Sequence, residues 1–282
     1  GNWFLSNAPA LRPLPAVVTL EITSQCQQTC LYCPHSLAEN DEKILSLTNF
    51  QALMKELSGW LEKGRIELSG YGEPLTHPEI EGILDTLKDY PQFEFLLETN
   101  GLLLDRFMNQ ILSIPSLTVM ISLDAPEKSL YEKLRGPGFE KAEENAEKFL
   151  SKAPEKGYLQ ITRMKDNEDF LDGFLERWRA FQSRILIQKY NDFCKAFEDR
   201  RVVDLSPLKP FACWKLQREL LIRADLSVPL CVQDFKNSFS AGRALETPLP
   251  EIWKNLDQAY ELQWKEGFQG LCKNCDQWYI FS

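Results

Sequence analysis

The order in which two kinds of segment recur constrains this chain most. Short β-branched or apolar runs alternate with longer stretches whose apolar residues return at helical period. The runs predict strands near 16–22, 65–69, 93–98, 117–123, 158–163 and 184–190. The stretches between them predict helices near 47–62, 78–90, 104–113, 138–152 and 168–183. Thr48 is the expected cap of the first helix, which ends before Gly64, and Pro78 suits the first turn of the second. A chain that returns to a strand after each helix builds a parallel sheet with right-handed crossovers. Six such units in 282 residues predict an α/β fold, a partial (β/α)6 TIM-like barrel, with an open doubly wound sheet as the alternative. Past residue 190 the rhythm stops. A polar stretch leads to about Pro210, then to an expected hairpin near 219–231 and a helix near 249–266. The expected division is a Pro-rich lead-in over 1–15, a barrel over 16–192 and a small cysteine-bearing module over 193–282.

Charge and run length exclude several roles. The formal charge is -9, and no basic cluster offers itself to a phosphate backbone, so nucleic acid is not an expected partner. Apolar runs such as Leu102–Leu104 and Ile185–Ile187 are far too short to span a bilayer, so no membrane role is expected. Eight cysteines would suit a disulfide framework in a short secreted chain. Here the chain is long and shows no export segment, which predicts a reducing, cytoplasmic setting.

The cysteines are unevenly spread. Cys26, Cys30 and Cys33 form a C-x3-C-x2-C triad just after the first strand, at the carboxyl edge where barrel loops carry chemistry. Three thiolates from one loop can hold three irons of a 4Fe-4S cluster and leave one iron open for a ligand. The alternative is a zinc knuckle completed by His35, although His35 and His77 read more simply as a loop residue and a helix-start residue. Further polar segments follow successive strands: Ser69-Gly70-Tyr71-Gly72-Glu73-Pro74, Thr99-Asn100-Gly101 and Ser122-Leu123-Asp124, with Arg135-Gly136 beyond. An amino-acid head chelating iron needs an acceptor for its ammonium, which Glu73 offers. It also needs donors for its carboxylate, which Arg135 and Ser122 offer. Gly70 and Gly72 would let backbone approach a ligand closely. The plainer alternatives are a helix cap for Glu73 and a surface ion pair for Arg135.

The triad, with Tyr32 just before its last cysteine, closely resembles the radical S-adenosylmethionine (SAM) superfamily. That resemblance implies that Cys26, Cys30 and Cys33 hold the cluster with one open iron. It also implies SAM contacts from Tyr32, Gly70, Tyr71, Gly72, Glu73, Asn100, Ser122 and Arg135, with Tyr71 standing where glycine is common. It further implies cleavage of SAM to a 5'-deoxyadenosyl radical and an electron donor such as flavodoxin or ferredoxin.

Cys213 and Cys231 bracket the expected hairpin, and Cys272-x-x-Cys275 returns after the helix containing Trp253. Four cysteines can saturate one auxiliary 4Fe-4S cluster, or one structural zinc. The pattern resembles the SPASM and Twitch extensions of radical SAM proteins. The tail with Asp204–Pro207, Cys213-Trp214, Pro229–Asp234 and Cys275–Tyr279 is similar to spirochaete SPASM proteins of unknown substrate. Cys194 has no partner in either pattern and is expected to be a buried thiol.

The resemblance implies an oxidation of dehydrogenase type in which the auxiliary cluster accepts an electron. Peptide modification is a second expectation, and a non-enzymatic zinc-binding module a third. The substrate is a small molecule or a peptide. Its expected contacts are polar residues at the inner ends of the fifth and sixth strands, Gln160, Arg163, Gln188, Tyr190 and Asn191, of which alternation permits only some to point inward. No residue stands out in the sequence as a general base.

Overall fold

The computed structural model describes residues 13–37, 42–208 and 211–279. Residues 1–12 of the expected lead-in lie outside the described residues. The six expected strands are present as β1 (Val17–Leu20), β2 (Gly64–Leu68), β3 (Phe93–Thr99), β4 (Leu117–Ser122), β5 (Gly157–Arg163) and β6 (Ile185–Lys189). Each is parallel to the one before it, from Val17↔Arg65 at one side to Arg163↔Lys189 at the other. The order from β6 back to β1 never reverses. A doubly wound sheet requires such a reversal, so the curled, barrel-like arrangement is the one formed.

Alternation along each strand assigns the two faces. In β3, Phe93, Phe95, Leu97 and Thr99 are buried, and Leu96 and Glu98 on the other face keep some water access. The buried face meets α1 (Leu47–Trp60), α2 (Ile80–Leu87), α3 (Leu104–Leu112) and α5 (Phe139–Lys152). These helices contribute Phe50, Leu53, Ile83, Leu84, Ile111 and Phe149 to one continuous core.

Several local expectations are corrected. Ser46, not Thr48, caps α1: its hydroxyl accepts from the Asn49 N–H at 3.2 Å, and Thr48 lies inside the helix. Pro78 precedes α2, which begins at Ile80. The fifth expected helix is only α6 (Leu171–Arg177), followed by a 3-10 segment over Arg179–Arg184 that Phe181 interrupts with a non-helical conformation. An eight-residue helix that periodicity missed, α4 (Lys128–Arg135), follows β4.

The largest correction concerns the expected hairpin. Its first arm, β7 (Glu219–Ile222), extends the barrel sheet in parallel beside β1, giving seven strands. The second arm, β8 (Ser227–Val228), pairs with β9 (Gly242–Arg243) instead. Helix α7 (Leu249–Glu266) places Leu249, Ile252, Trp253 and Leu256 in the barrel's own core, and its Leu249 N–H bonds the Glu56 carboxylate of α1 at 2.7 Å. Among the described residues, no helix is long and apolar enough to cross a membrane.

The cap assignment is testable by urea unfolding. Ser46→Ala is expected to cost about 0.5–2 kcal/mol. Thr48→Ala, inside the helix, is expected to leave stability unchanged or slightly raised.

Candidate functional site

The first cysteine loop leaves β1 at the carboxyl edge and is held by the helix the sequence did not reveal. The Thr29 N–H bonds the Arg135 carbonyl at 3.2 Å and the Leu31 N–H bonds the Leu134 carbonyl at 2.8 Å. These are the last carbonyls of α4, which would otherwise lack partners. Burial raises the Cys26 thiol to about 11 and the Cys33 thiol to about 12, and pushes Cys30 up as well. Neutral in isolation, such thiols ionise when a metal replaces the proton. Among the described residues, no three His, Cys, Asp or Glu side chains converge on a point that would suit one metal ion.

Beside the loop, Glu73 is buried and takes three donors, two on Oε1 and one on Oε2. It accepts from the Thr99 hydroxyl at 2.7 Å, the Asn100 N–H at 2.7 Å and the Leu75 N–H at 3.2 Å. Desolvation still raises its pKa. The helix it caps is the 3-10 turn Pro74–Thr76, not the one beginning near Pro78. The Asn100 side chain accepts from the Leu102 N–H at 3.0 Å, and its own Nδ2 is buried without a partner. A buried donor left unpaired costs about 1–3 kcal/mol, so this atom fits a place where a ligand acceptor arrives.

Arg135 forms no surface pair. Its guanidinium is buried, bonded to the fully buried Asp124 carboxylate, to the Tyr32 hydroxyl at 2.9 Å and to Gln28 Oε1 at 3.3 Å. The Tyr32 hydroxyl donates to the same carboxylate. Ser122 stands apart from this cluster and receives the Gln160 side chain at 3.4 Å.

The two glycines have a reason other than ligand approach. A Cβ on Gly70, whose φ is +148°, would sit 2.8 Å from the Glu21 side chain, and one on Gly72 would sit 2.0 Å from the Thr23 carbonyl oxygen. They let the 69–73 segment pass close against the chain leading into the cysteine loop. Tyr71 turns toward the other module: its hydroxyl bonds the Val232 carbonyl and its ring lies under the Arg223 guanidinium at 5.2 Å. His77 bonds the Leu45 carbonyl at 2.8 Å and serves the fold.

Of the expected substrate contacts, Gln160 and Gln188 meet on the inner face at 2.8 Å. The other three are not brought there. Arg163 is taken up by Glu168. Tyr190 is buried with its hydroxyl on the Glu198 carbonyl at 2.7 Å, and Asn191 accepts from the Phe193 N–H at 3.0 Å in a turn. Strand alternation lapses at the end of β6, which is why residues 190 and 191 misled.

Sequence reasoning also missed a group of carboxylates. Glu67 and Glu98 occupy the polar positions of β2 and β3, opposite the buried Ile66, Leu68 and Leu97. Thr19 bonds Glu67 at 3.4 Å, and Ser69 bonds Glu98. Desolvation, followed by the nearby charges of Glu98 and Glu219, pushes Glu67 up to about 7. Desolvation raises Glu98 too. A glutamate alternating with apolar residues in a strand was the available signal.

The second cysteine group lines a small cavity with Leu216, Phe268 and Trp278. Cys231 and Cys275 receive backbone N–H groups from Gln233 at 3.4 Å and Gln277 at 3.3 Å. Cys194, expected to be solitary, lines the same cavity. The loop after Cys275 is tied to β6 by Lys189 bonding Asp276.

With this geometry in place, comparison with known proteins gives a consistent picture. The model of the radical SAM superfamily matches residues 20–174, and that of the SPASM iron-sulfur cluster-binding domain matches residues 213–276. An uncharacterized protein of Treponema pallidum is 29% identical, covering 97% of this chain and 81% of its own length. The S-adenosyl-L-methionine-dependent 2-deoxy-scyllo-inosamine dehydrogenase of Niallia circulans is 24% identical over 93% of this chain and 92% of its own. Among solved structures, BtrN in complex with AdoMet and 2-DOIA superposes with a TM-score of 0.65 at 19% identity, covering 93% of each chain. Streptococcus suis SuiB bound to its precursor peptide SuiA gives 0.72 at 13% identity, covering 86% of this chain and 65% of SuiB.

The inner-face carboxylates make a pH prediction. Glu67 is raised from its ordinary 4.5 to about 7. Its contribution to stability is therefore fully present below about pH 4.5 and lost as pH rises through about 7. Between pH 5 and 8 the urea midpoint of the wild type is expected to fall more than that of Glu67→Gln. Equal slopes would show that Glu67 titrates normally.

Proposed function

The chain belongs to the radical SAM superfamily, and we propose that Cys26, Cys30 and Cys33 hold a 4Fe-4S cluster whose remaining iron takes no side chain and is left for SAM. One observation carries this reading: the cysteine loop, the buried carboxylate of Glu73 and the unpaired Asn100 Nδ2 lie together at the carboxyl edge of β1, β2 and β3. When bound, the cluster and SAM supply reductive cleavage to methionine and a 5'-deoxyadenosyl radical.

The chain's residues have separable tasks around them. Glu73 receives the ammonium of SAM, for which a buried carboxylate with an acceptor position still open is suited. Asn100 Nδ2 donates to an acceptor on the same ligand, while Gly70 and Gly72 let the segment carrying Glu73 pass close against the chain leading into the cysteine loop, and Tyr71 ties that segment to the auxiliary module. Arg135, with Tyr32 beside it, presents positive charge held in place by Asp124, and Ser122 adds a hydroxyl at the end of β4. Cys213, Cys231, Cys272 and Cys275 hold the auxiliary 4Fe-4S cluster, and an external flavodoxin- or ferredoxin-like protein supplies electrons. In this reading residues 16–192 form the barrel and residues 193–282 the auxiliary module, which lends β7 back to the sheet.

The reaction class we favour is oxidation of a small polar substrate. Loss of a hydrogen atom to the adenosyl radical must be followed by loss of one proton and one electron for the substrate to emerge oxidised. The electron's acceptor is the auxiliary cluster. The proton's acceptor is the inner-face carboxylate pair, since a carboxylate raised toward 7 is matched to proton transfer near neutral pH. Gln160 and Gln188 supply donors and acceptors for the substrate's hydroxyl or amino groups. The similarity to the inosamine dehydrogenase supports this choice.

A peptide substrate is the second reading, favoured by β6, an edge strand that leaves Leu186, Ile187 and Gln188 exposed and open to pairing with an extended peptide.

Anaerobic reconstitution with dithionite and SAM is expected to yield 5'-deoxyadenosine, and Cys30→Ala to abolish it. Unchanged formation in that variant would overturn the assignment of the triad. With deuterated aminocyclitols or alcohols, label recovered in the nucleoside supports oxidation of a small molecule; label recovered only from peptides supports the second reading. Glu98→Gln is expected to lower turnover about 10²–10⁴-fold while leaving SAM cleavage intact.

A further inference from the structure

A short path of bonds runs from one cysteine site to the other, and Tyr71 stands in its middle. At one end the Glu73 N–H bonds the Gln25 carbonyl at 2.7 Å, one residue before Cys26, and the Thr76 hydroxyl bonds the same oxygen at 3.3 Å. At the other end the Tyr71 hydroxyl bonds the Val232 carbonyl, one residue after Cys231. Only Gly72 lies between Tyr71 and Glu73. A glycine in place of Tyr71 could make none of its side-chain contacts.

The path has little slack. A Cβ on Gly72 would fall 2.0 Å from the Thr23 carbonyl oxygen, so the segment already lies against the chain entering the first cysteine loop. The Tyr71 N–H is held by the buried Glu21 carboxylate at 3.1 Å. Its ring is buried, covered by the Arg223 guanidinium at 5.2 Å and met edge-on by the Phe193 ring at 6.3 Å. Arg223 also donates to the Phe235 carbonyl at 3.0 Å, so the loop carrying Cys231 is gripped at two carbonyls from one centre. Within that loop the Gln233 N–H turns back onto Cys231 Sγ at 3.4 Å, which wraps the Val232 peptide around the sulfur. Whatever fixes that sulfur therefore aims the carbonyl that Tyr71 meets. Closely packed segments transmit a displacement rather than absorb it.

We propose that Tyr71 is a positioning residue that couples the two sites. A loaded auxiliary site fixes the Cys231 loop, the loop fixes Tyr71, and the segment anchored by Tyr71 presents Glu73 to the amino group of SAM. By linkage the coupling is reciprocal, so occupancy of each site favours occupancy of the other. The inference rests on the reading that SAM binds beside the N-terminal triad and that the quartet holds a cluster.

Equilibrium dialysis of SAM against the anaerobically reconstituted protein tests it without reference to turnover, with iron and sulfide content and circular dichroism as checks on loading and folding. Cys272→Ala, outside the Cys231 loop, is expected to empty the auxiliary site and to weaken SAM binding about 5-fold or more with the first cluster intact. Tyr71→Phe keeps the ring and removes only the hydroxyl; it is expected to hold both clusters and to weaken SAM binding by a similar factor. The double variant is expected to bind no more weakly than the weaker single one, because both changes break the same path. A tyrosine that only filled space would give losses that multiply. Wild-type SAM affinity in Tyr71→Phe or in Cys272→Ala, or multiplied losses in the double variant, overturns the coupling. Should Cys272→Ala misfold, Cys213→Ala empties the same site and gives the same comparison. A wild type that binds no SAM or carries one cluster's worth of iron, or a Cys272→Ala variant that keeps two, refutes instead the reading on which the inference rests.

Discussion

The buried pair of Asp124 and Arg135 is the contact on which the site's geometry depends. Asp124 lies two residues past β4 with φ at +64°, and its carboxylate takes the guanidinium, the Tyr32 hydroxyl and the Thr162 N–H of β5. Arg135 closes α4, and its carbonyl holds the cysteine loop through Thr29. One ion pair thereby fixes the loop after β1, the helix after β4 and the end of β5. Buried charges bring large desolvation costs, so such a pair is weak evidence for stability and stronger evidence for a required arrangement. Removing the carboxylate would leave a buried cation uncompensated beside three cysteines.

A second clasp joins the two cysteine sites. Glu21, buried just beyond β1, accepts from the Tyr71 N–H at 3.1 Å and the Ala224 N–H at 3.4 Å and faces Arg223 at 3.6 Å. The segment from Ser69 to Glu73 thus serves both ends: Glu73 stands beside the first loop, and Tyr71 reaches the carbonyl next to Cys231. The tyrosine that departs from the usual glycine links the N-terminal motif to the loop carrying an auxiliary-site cysteine. Together with β7, which pairs directly with β1, this makes the two sites parts of one edge.

The sequence made the barrel legible because periodicity is a local signal and each βα unit repeats it. The cysteine triad and the segments at successive strand ends were legible for a similar reason: short spacing is preserved in folding. What escaped was nonlocal or too short. β7 finds its partner at the opposite end of the chain, so its run of Leu220–Ile222 resembled a hairpin arm. α4 has only eight residues, many of them charged, and its importance lies in its terminal carbonyls. Ser46 and Thr48 are hydroxyl residues two positions apart, and only backbone geometry separates cap from interior. Cys194 lacks any spacing signature because its neighbour in space is far along the chain. Arg163 and Tyr190 sat at strand ends, where a neighbouring glutamate and a turn claimed them.

The account stands or falls on whether one iron of the N-terminal cluster is free of protein and meets the amino-acid head of SAM. Electron-nuclear double resonance on the reduced protein, with SAM labelled by 15N at the amino group and 17O at the carboxylate, measures this contact directly. The account predicts hyperfine coupling from both labels to the cluster, lost in Cys30→Ala. Absence of coupling in the wild type under saturating SAM would contradict it.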